Sequence, residues 1–310
     1  MIRKIYTQTM TDYCLKLTND KPIAVIMGGK HDTKRVSIVK KGAQPDENEE
    51  EDEGDEFDPL EQFDINEFIH GNKLMPIDER MKIVNMLRKK QPTEYTERYR
   101  EVCQKSIKLD AGQFVIYPTR ETERVFIAGR SGCGKSSLAS MYAREYREMF
   151  PNNNMFIVST HDEEKAYQSF DIHKIALDDT FIESPPTLDD LNNSLIIFDD
   201  CDNLTDKKLQ DAVKRVNSNL IANGRKYNIH VLTLSHTLMD YSRTRHLLIE
   251  ANRVIFFLGG SAYHTMRFLK EYAGLNKKQA QKIIGLRSRW VCLGLTVPNY
   301  FISENEISLI

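Results

Sequence analysis

Residues 124–137 read RVFIAGRSGCGKSS, an apolar run followed by a complete G-x-x-x-x-G-K-S pattern from Gly129 to Ser136. Arg124–Ala128 has the length and content of a buried strand. Beyond the pattern, Leu138, Met141, Tyr142, Glu145, Tyr146 and Met149 recur at spacings of three and four, the signature of a helix. Strand, glycine-rich loop and helix, in that order, form the setting in which this pattern cradles phosphate. Gly132 and Gly134 let the backbone turn so that successive N–H groups converge on an anion. The nucleotide-binding set is thus Gly129, Arg130, Ser131, Gly132, Cys133, Gly134, Lys135, Ser136 and Ser137. In it Lys135 reaches the β- and γ-phosphates, the Ser136 hydroxyl is placed for Mg2+, and the positive helix end adds attraction.

Working outward, residues 194–200 read SLIIFDD, an apolar strand ending in two acids. Asp199 fits the role of holding Mg2+, and Asp200 that of polarising the attacking water. Asp200 is one methylene shorter than the glutamate common at such positions. A third run, His230–Leu234, ends in Ser235 and His236. If that strand lies between the other two, both polar residues face the γ-phosphate, to sense hydrolysis and orient water. Further strands are expected at 114–117, 155–159 and 253–258. A helix carrying Leu209, Val213, Val216 and Leu220 stops at Asn223-Gly224, another covers about 277–286, and a closing hairpin turns at Pro298-Asn299. Alternating strands and helices call for an α/β fold with a central, mainly parallel sheet. Neither the arginine-rich lid of a nucleoside kinase nor the Asn/Thr-Lys-x-Asp guanine motif of a GTPase is present.

The rest of the 310 residues is less ordered in pattern. Residues 1–44 hold two short apolar runs about the turn 28–32, a small β-rich segment. Residues 45–64 form an acidic linker expected to be disordered, with 12 carboxylates and no cation in 46–64. Residues 65–110 suggest a helical segment, and 111–310 the phosphate-binding domain. Outside the acidic run, 43 Lys and Arg face 33 Asp and Glu, a basic balance that suits a polyanionic partner such as DNA. The five cysteines, Cys14, Cys103, Cys133, Cys201 and Cys292, are scattered without a CxxC, which argues for a reducing compartment over a disulfide framework. No apolar run is long enough for a membrane span.

Together, the stretches GRSGCGKSS, SLIIFDDCDNL, NGRKYNIHVLTLSHT and LKEYAGLNKKQAQKIIGLRSRWVCL resemble the genome-packaging ATPases of nucleocytoplasmic large DNA viruses and their relatives, within the FtsK–HerA superfamily. The resemblance covers about residues 111–303. It implies a RecA/FtsK–HerA-like P-loop ATPase using ATP and Mg2+, assembled as a homo-oligomeric ring that moves double-stranded DNA into a preformed capsid. Viral capsid proteins are then partners, and the host cytoplasm and the virion its locations. The chain departs from the family at Cys133, where serine is usual, and at His236, where many relatives have glutamine. Ring ATPases complete the site with an arginine from the neighbouring subunit. Arg225, in the shared stretch before the third strand, is chosen over Arg215, Arg243, Arg245 and Arg253. Two other functions stay open: a P-loop interaction protein switched by nucleotide, and a helicase-like DNA repair ATPase.

Overall fold

The computed structural model describes residues 13–40, 78, 80–82, 105–160, 165–168, 171–240 and 243–310. The acidic run 46–64 and nearly all of the expected helical segment lie outside these residues. A ten-stranded sheet dominates. Its parallel centre is built from β6 (Arg124–Ala128), β7 (Asn154–Ser159), β8 (His173–Ile175), β9 (Ser194–Asp199), β10 (Ile229–Ser235) and β11 (Arg253–Phe257). Four antiparallel strands extend it beyond β11: β12 (Trp290–Gly294), β13 (Tyr300–Ser303), β14 (Glu306–Leu309) and, at the edge, β4 (Ser106–Lys108). The order across the sheet is β4-β14-β13-β12-β11-β6-β10-β9-β7-β8.

β6, β9, β10 and β11 are mostly apolar and buried, as expected of strands covered on both faces. Val125 and Ile127 of β6 point into one layer, Phe126 and Ala128 into the other, and β9, β10 and β11 alternate in the same way. The first layer is closed by α1 (Lys135–Met149) through Leu138, Ala139, Tyr142, Ala143 and Tyr146. The second is closed by α2 (Asp179–Glu183), α3 (Lys207–Asn223), α4 (Arg245–Glu250), α5 (Ala262–Glu271) and α6 (Lys277–Ile284). Full burial of each Leu, Ile or Phe in these layers is worth about 1.5–3 kcal/mol. Among the described residues no helix is long and apolar enough to cross a membrane.

A smaller antiparallel sheet, ordered β1-β3-β2-β5, lies on the α1 side. It joins β1 (Tyr13–Leu17), β2 (Pro22–Met27) and β3 (Arg35–Lys40) to β5 (Gln113–Ile116). Two expectations about the 110/111 boundary are corrected here. Phe114–Tyr117 does not enter the parallel sheet; it pairs with β2, Ala24 facing Ile116. Both of its faces are covered, Phe114 and Ile116 joining the main core while Val115 and Tyr117 pack with Val25 and with Met141 and Met149 of α1. Ser106–Lys108, assigned to a helical segment, is instead an edge strand on β14, its Ile107 opposite Ile307. Chain pairing thus crosses that boundary in both directions.

Candidate functional site

β10 lies between β6 and β9, in register with both: Ser235 is level with Ala128 and Thr233 with Phe198. Three strand ends therefore meet at one edge of the sheet, carrying the glycine-rich loop, Asp199-Asp200 and Ser235-His236. The loop is fastened to β10 by Gly129 N–H donating to the Ser235 carbonyl at 3.0 Å. Gly129 has no room for a side chain, since a Cβ would stand 2.5 Å from Cys133 Sγ and 2.7 Å from the Phe257 ring. Gly134, at φ +106°, turns the chain into α1. No side chain caps α1, whereas Asp178, Asp206, Ser261 and Asn276 cap α2, α3, α5 and α6. The first-turn N–H groups of α1 are left to an anion.

Lys135 is buried, 6% exposed, and its ammonium is folded back. It donates to the carbonyls of Gly129 at 3.1 Å and Arg130 at 3.3 Å, and stands 3.4 Å from His236 Nδ1. On its other side His236 Nε2 meets Asp200 Oδ1 at 2.9 Å. Lys135, His236 and Asp200 thus form one line of contacts across three strand ends. Asp200 holds its position from a left-handed backbone, φ +52°, a conformation costly for a non-glycine residue and frequent at functional sites. His236 is further fixed by its N–H donating to Asp202 Oδ2 at 3.0 Å.

Asp199 is fully buried at the end of β9 and accepts from Tyr167 Oη at 3.1 Å. That tyrosine sits on a 3-10 turn bound to α1 by Ser140 Oγ donating to the Ala166 carbonyl. The Ser136 hydroxyl and the Asp199 carboxylate are hard oxygen donors of the kind Mg2+ takes when substrate phosphates and water supply the rest. The described residues hold no cluster of three or more His, Cys, Asp and Glu side chains that would suit a metal held by protein alone. Cys201, beside this pair, has its thiol pKa raised by burial and by Asp202, Asp199 and Asp200, so it stays protonated.

The structure treats the remaining sequence candidates unequally. Ser235 is buried, and its hydroxyl closes a local turn, donating to the Thr237 carbonyl and accepting from Thr237 N–H, both at 3.1 Å. Its carbonyl, not its hydroxyl, serves the loop. Arg225 is exposed in the 3-10 turn Gly224–Tyr227 that leads into β10, at the opposite end of the strand from Lys135. It reaches no phosphate in its own chain. Arg215 lines a surface cleft with Lys208, Asp211 and Lys214, and Arg243 lies 3.9 Å from Asp240. Arg253 is excluded as a mobile arginine: it is 1% exposed, paired with Glu123 at 3.0 Å, and donates to Tyr300 Oη and the Tyr117 carbonyl. Sequence reasoning missed Asp202, Tyr167 and Phe257. The first was legible in the acid-rich run DDCDN; the other two depend on packing alone.

No family model matches the chain. A relative is protein V3 of Sputnik virophage, itself uncharacterized, 34% identical over 197 residues that span 63% of this chain and 80% of V3. Among solved structures, the genome packaging NTPase B204 of Sulfolobus turreted icosahedral virus 2, in complex with ATP-gammaS, is 14% identical. It superposes with a TM-score of 0.39 over 56% of this chain and 90% of B204. The cytoplasmic domain of the Type VII secretion ATPase EccC of Thermomonospora curvata is also 14% identical, with a TM-score of 0.43 over 64% of this chain and 28% of EccC.

Proposed function

The chain belongs to one family with the virophage protein V3, and we propose that it is a P-loop ATPase of the FtsK–HerA superfamily, an ATP-hydrolysing motor that moves double-stranded viral DNA into a preformed capsid. One arrangement supports this most: the contact chain from Lys135 through His236 to Asp200, which puts the phosphate-binding lysine and the candidate base on the same imidazole. A nucleotide at the loop draws Lys135 off the Gly129 and Arg130 carbonyls onto its β- and γ-phosphates. The N–H groups of 132–137 take the phosphate oxygens. Ser136 and Asp199 would hold Mg2+, which when bound neutralises charge developing on the phosphates. Asp200 then accepts the proton of the attacking water, and His236 orients that carboxylate while facing the γ-phosphate. Ser235 acts indirectly, through the carbonyl that holds Gly129.

Arg225 is proposed to complete the site of the neighbouring subunit in a ring. Arg225→Ala then binds ATP but hydrolyses it poorly, and mixing it with Asp200→Asn subunits restores turnover at interfaces that pair intact partners. The test of the whole function is the ATPase rate with and without double-stranded DNA, measured beside the mass of the assembly. DNA-stimulated turnover by an oligomer is expected. Tight nucleotide binding without turnover would point instead to a nucleotide switch, and unwinding of a tailed duplex to a helicase.

A further inference from the structure

α5 and α6 form a helix–turn–helix whose turn is specified at every step. At the end of α5, Leu275 N–H donates to the Leu269 carbonyl at 2.9 Å, across Gly274 in the left-handed region at φ +66°. That is the glycine-bearing stop that lets a chain leave a helix sharply. Two residues later Asn276 opens α6 with a reciprocal capping box, its side chain accepting from Gln279 N–H and the Gln279 side chain from Asn276 N–H, both at 3.0 Å. Phe268, Leu269, Ala273, Leu275, Ala280 and Ile283 are buried and lock the pair onto the sheet, with the Phe268 ring 5.8 Å from that of Phe256. The burial leaves Lys277, Lys278, Gln281 and Lys282 together on the exposed face of α6.

The charge around that face is one-sided. Residues 267–310 contain seven Lys and Arg but only three carboxylates. Each carboxylate is already engaged: Glu271 by Arg267 at 2.9 Å, Glu304 by Arg289 at 2.6 Å, and Glu306 by Lys282 and Lys108 at 3.2 and 3.3 Å. Lys270, Lys277, Lys278 and Arg287 are exposed and have no ion-pair partner among the described residues. Rigid helices joined by a short glycine turn and presenting uncompensated cations are a form in which proteins meet duplex DNA. A sequence-independent hold on the duplex comes from phosphates, which such lysines and arginines neutralise with release of counterions.

We infer that the exposed face of α6 and the turn after it form the surface on which duplex DNA lies, with Lys277, Lys278 and Arg287 holding its phosphates. This assignment rests on the motor reading above and adds where the DNA touches. The surface is one strand away from the nucleotide. Arg289, at the end of the same turn, accepts through its carbonyl from Leu258 N–H at 3.0 Å, and the preceding Phe257 packs its ring under Gly129.

The test is the triple substitution Lys277→Ala, Lys278→Ala, Arg287→Ala in the full chain. Binding of a mixed-sequence duplex of about 30 base pairs is measured across a salt series, beside ATPase activity without DNA. Three lost phosphate contacts should reduce the slope of log affinity against log salt by about 2–3 and weaken binding roughly 100-fold at 0.1 M salt. DNA stimulation of turnover disappears, while the DNA-independent ATPase rate stays at the parent value. A parent that binds duplex with an unchanged slope in the variant would overturn this surface and leave the motor reading standing. A parent that binds no duplex would overturn both. A synthetic peptide of residues 46–64 that binds the parent and not the variant, with DNA binding unaltered, would overturn the DNA assignment and give the face to the acidic run.

Discussion

The two ends of the parallel strands both bury charge, and they do so in opposite ways. At the loop end Lys135 rests on neutral partners, two carbonyls and an imidazole. At the far end Arg253 is enclosed by Glu123, Tyr300 and the Tyr117 carbonyl, while Glu123 also accepts from Tyr142 Oη at 2.8 Å and Thr119 N–H at 3.0 Å. Burial opposes the Arg253 charge, yet the adjacent Glu123 raises its pKa above the ordinary arginine value. The same surroundings push the phenols of Tyr142 and Tyr300 up, by burial foremost. A group that works on a ligand needs replaceable partners; one that ties strands together needs permanent ones. Arg253 joins the start of β11 to β13 and to the chain after β5 directly, and to α1 through Glu123, which accepts from Tyr142.

The contrast breaks most visibly at Arg253. Arg253→Leu strands Glu123 in the core and should cost about 3–5 kcal/mol of stability, read by denaturant unfolding, with part recovered when Glu123→Gln is added. Turnover lost at parental stability would show Arg253 working on phosphate and would dissolve the comparison. At the loop end the expected loss is catalytic. Asp200→Asn should slow hydrolysis about 100-fold or more, the usual worth of a general base, with ATP affinity within about 3-fold of the parent. Lys135→Ala should lose both binding and turnover, neither with a change in melting temperature. If Asp200→Asn fails to bind while Asp199→Asn still hydrolyses, the roles of the two acids are reversed.

The smallest effect sharpens the far end. His230, near the start of β10, is buried against Tyr146 and Phe150, and its Nδ1 has no hydrogen-bond partner among the described residues. Burial, helped by the Arg253 charge, lowers its pKa to about 4. Between the unfolded value near 6.5 and 4, the unfolded chain binds a proton that the folded chain does not. The stability from keeping His230 neutral is therefore complete above about pH 6.5 and is lost as pH falls toward 4. By pH 5 the loss amounts to about 2 kcal/mol, at 1.36 kcal/mol per pH unit. His230→Phe should flatten that slope in urea unfolding at pH 5 and 7; an unchanged slope would place the proton elsewhere.

Much of this was legible because it is local. Residues 124–150 carry strand, loop and helix in one stretch, so spacing alone announces them. Asn223-Gly224 marks a helix end and Pro298-Asn299 a hairpin for the same reason. Arg253 was not legible. At the head of an apolar run it reads as a surface residue, and only the approach of Glu123 and Tyr300, 130 and 47 positions away in the sequence, makes it a core residue. Phe114–Tyr117 reads as a strand in any sheet, and which sheet takes it depends on β2.

By itself, then, the sequence determined the glycine-rich loop between strand and helix, the two acids ending a strand, the polar tip of a third strand and the basic balance outside 46–64. Each is a matter of neighbours along the chain or of summed charge. The tertiary structure alone decided that β10 inserts between β6 and β9. It thereby put His236 between Lys135 and Asp200, turned the Ser235 hydroxyl back onto Thr237 and left Arg225 at the far end of its strand. Strand order is set by which apolar faces the helices cover and how the crossovers pack. That long-range information is carried by no single stretch of residues.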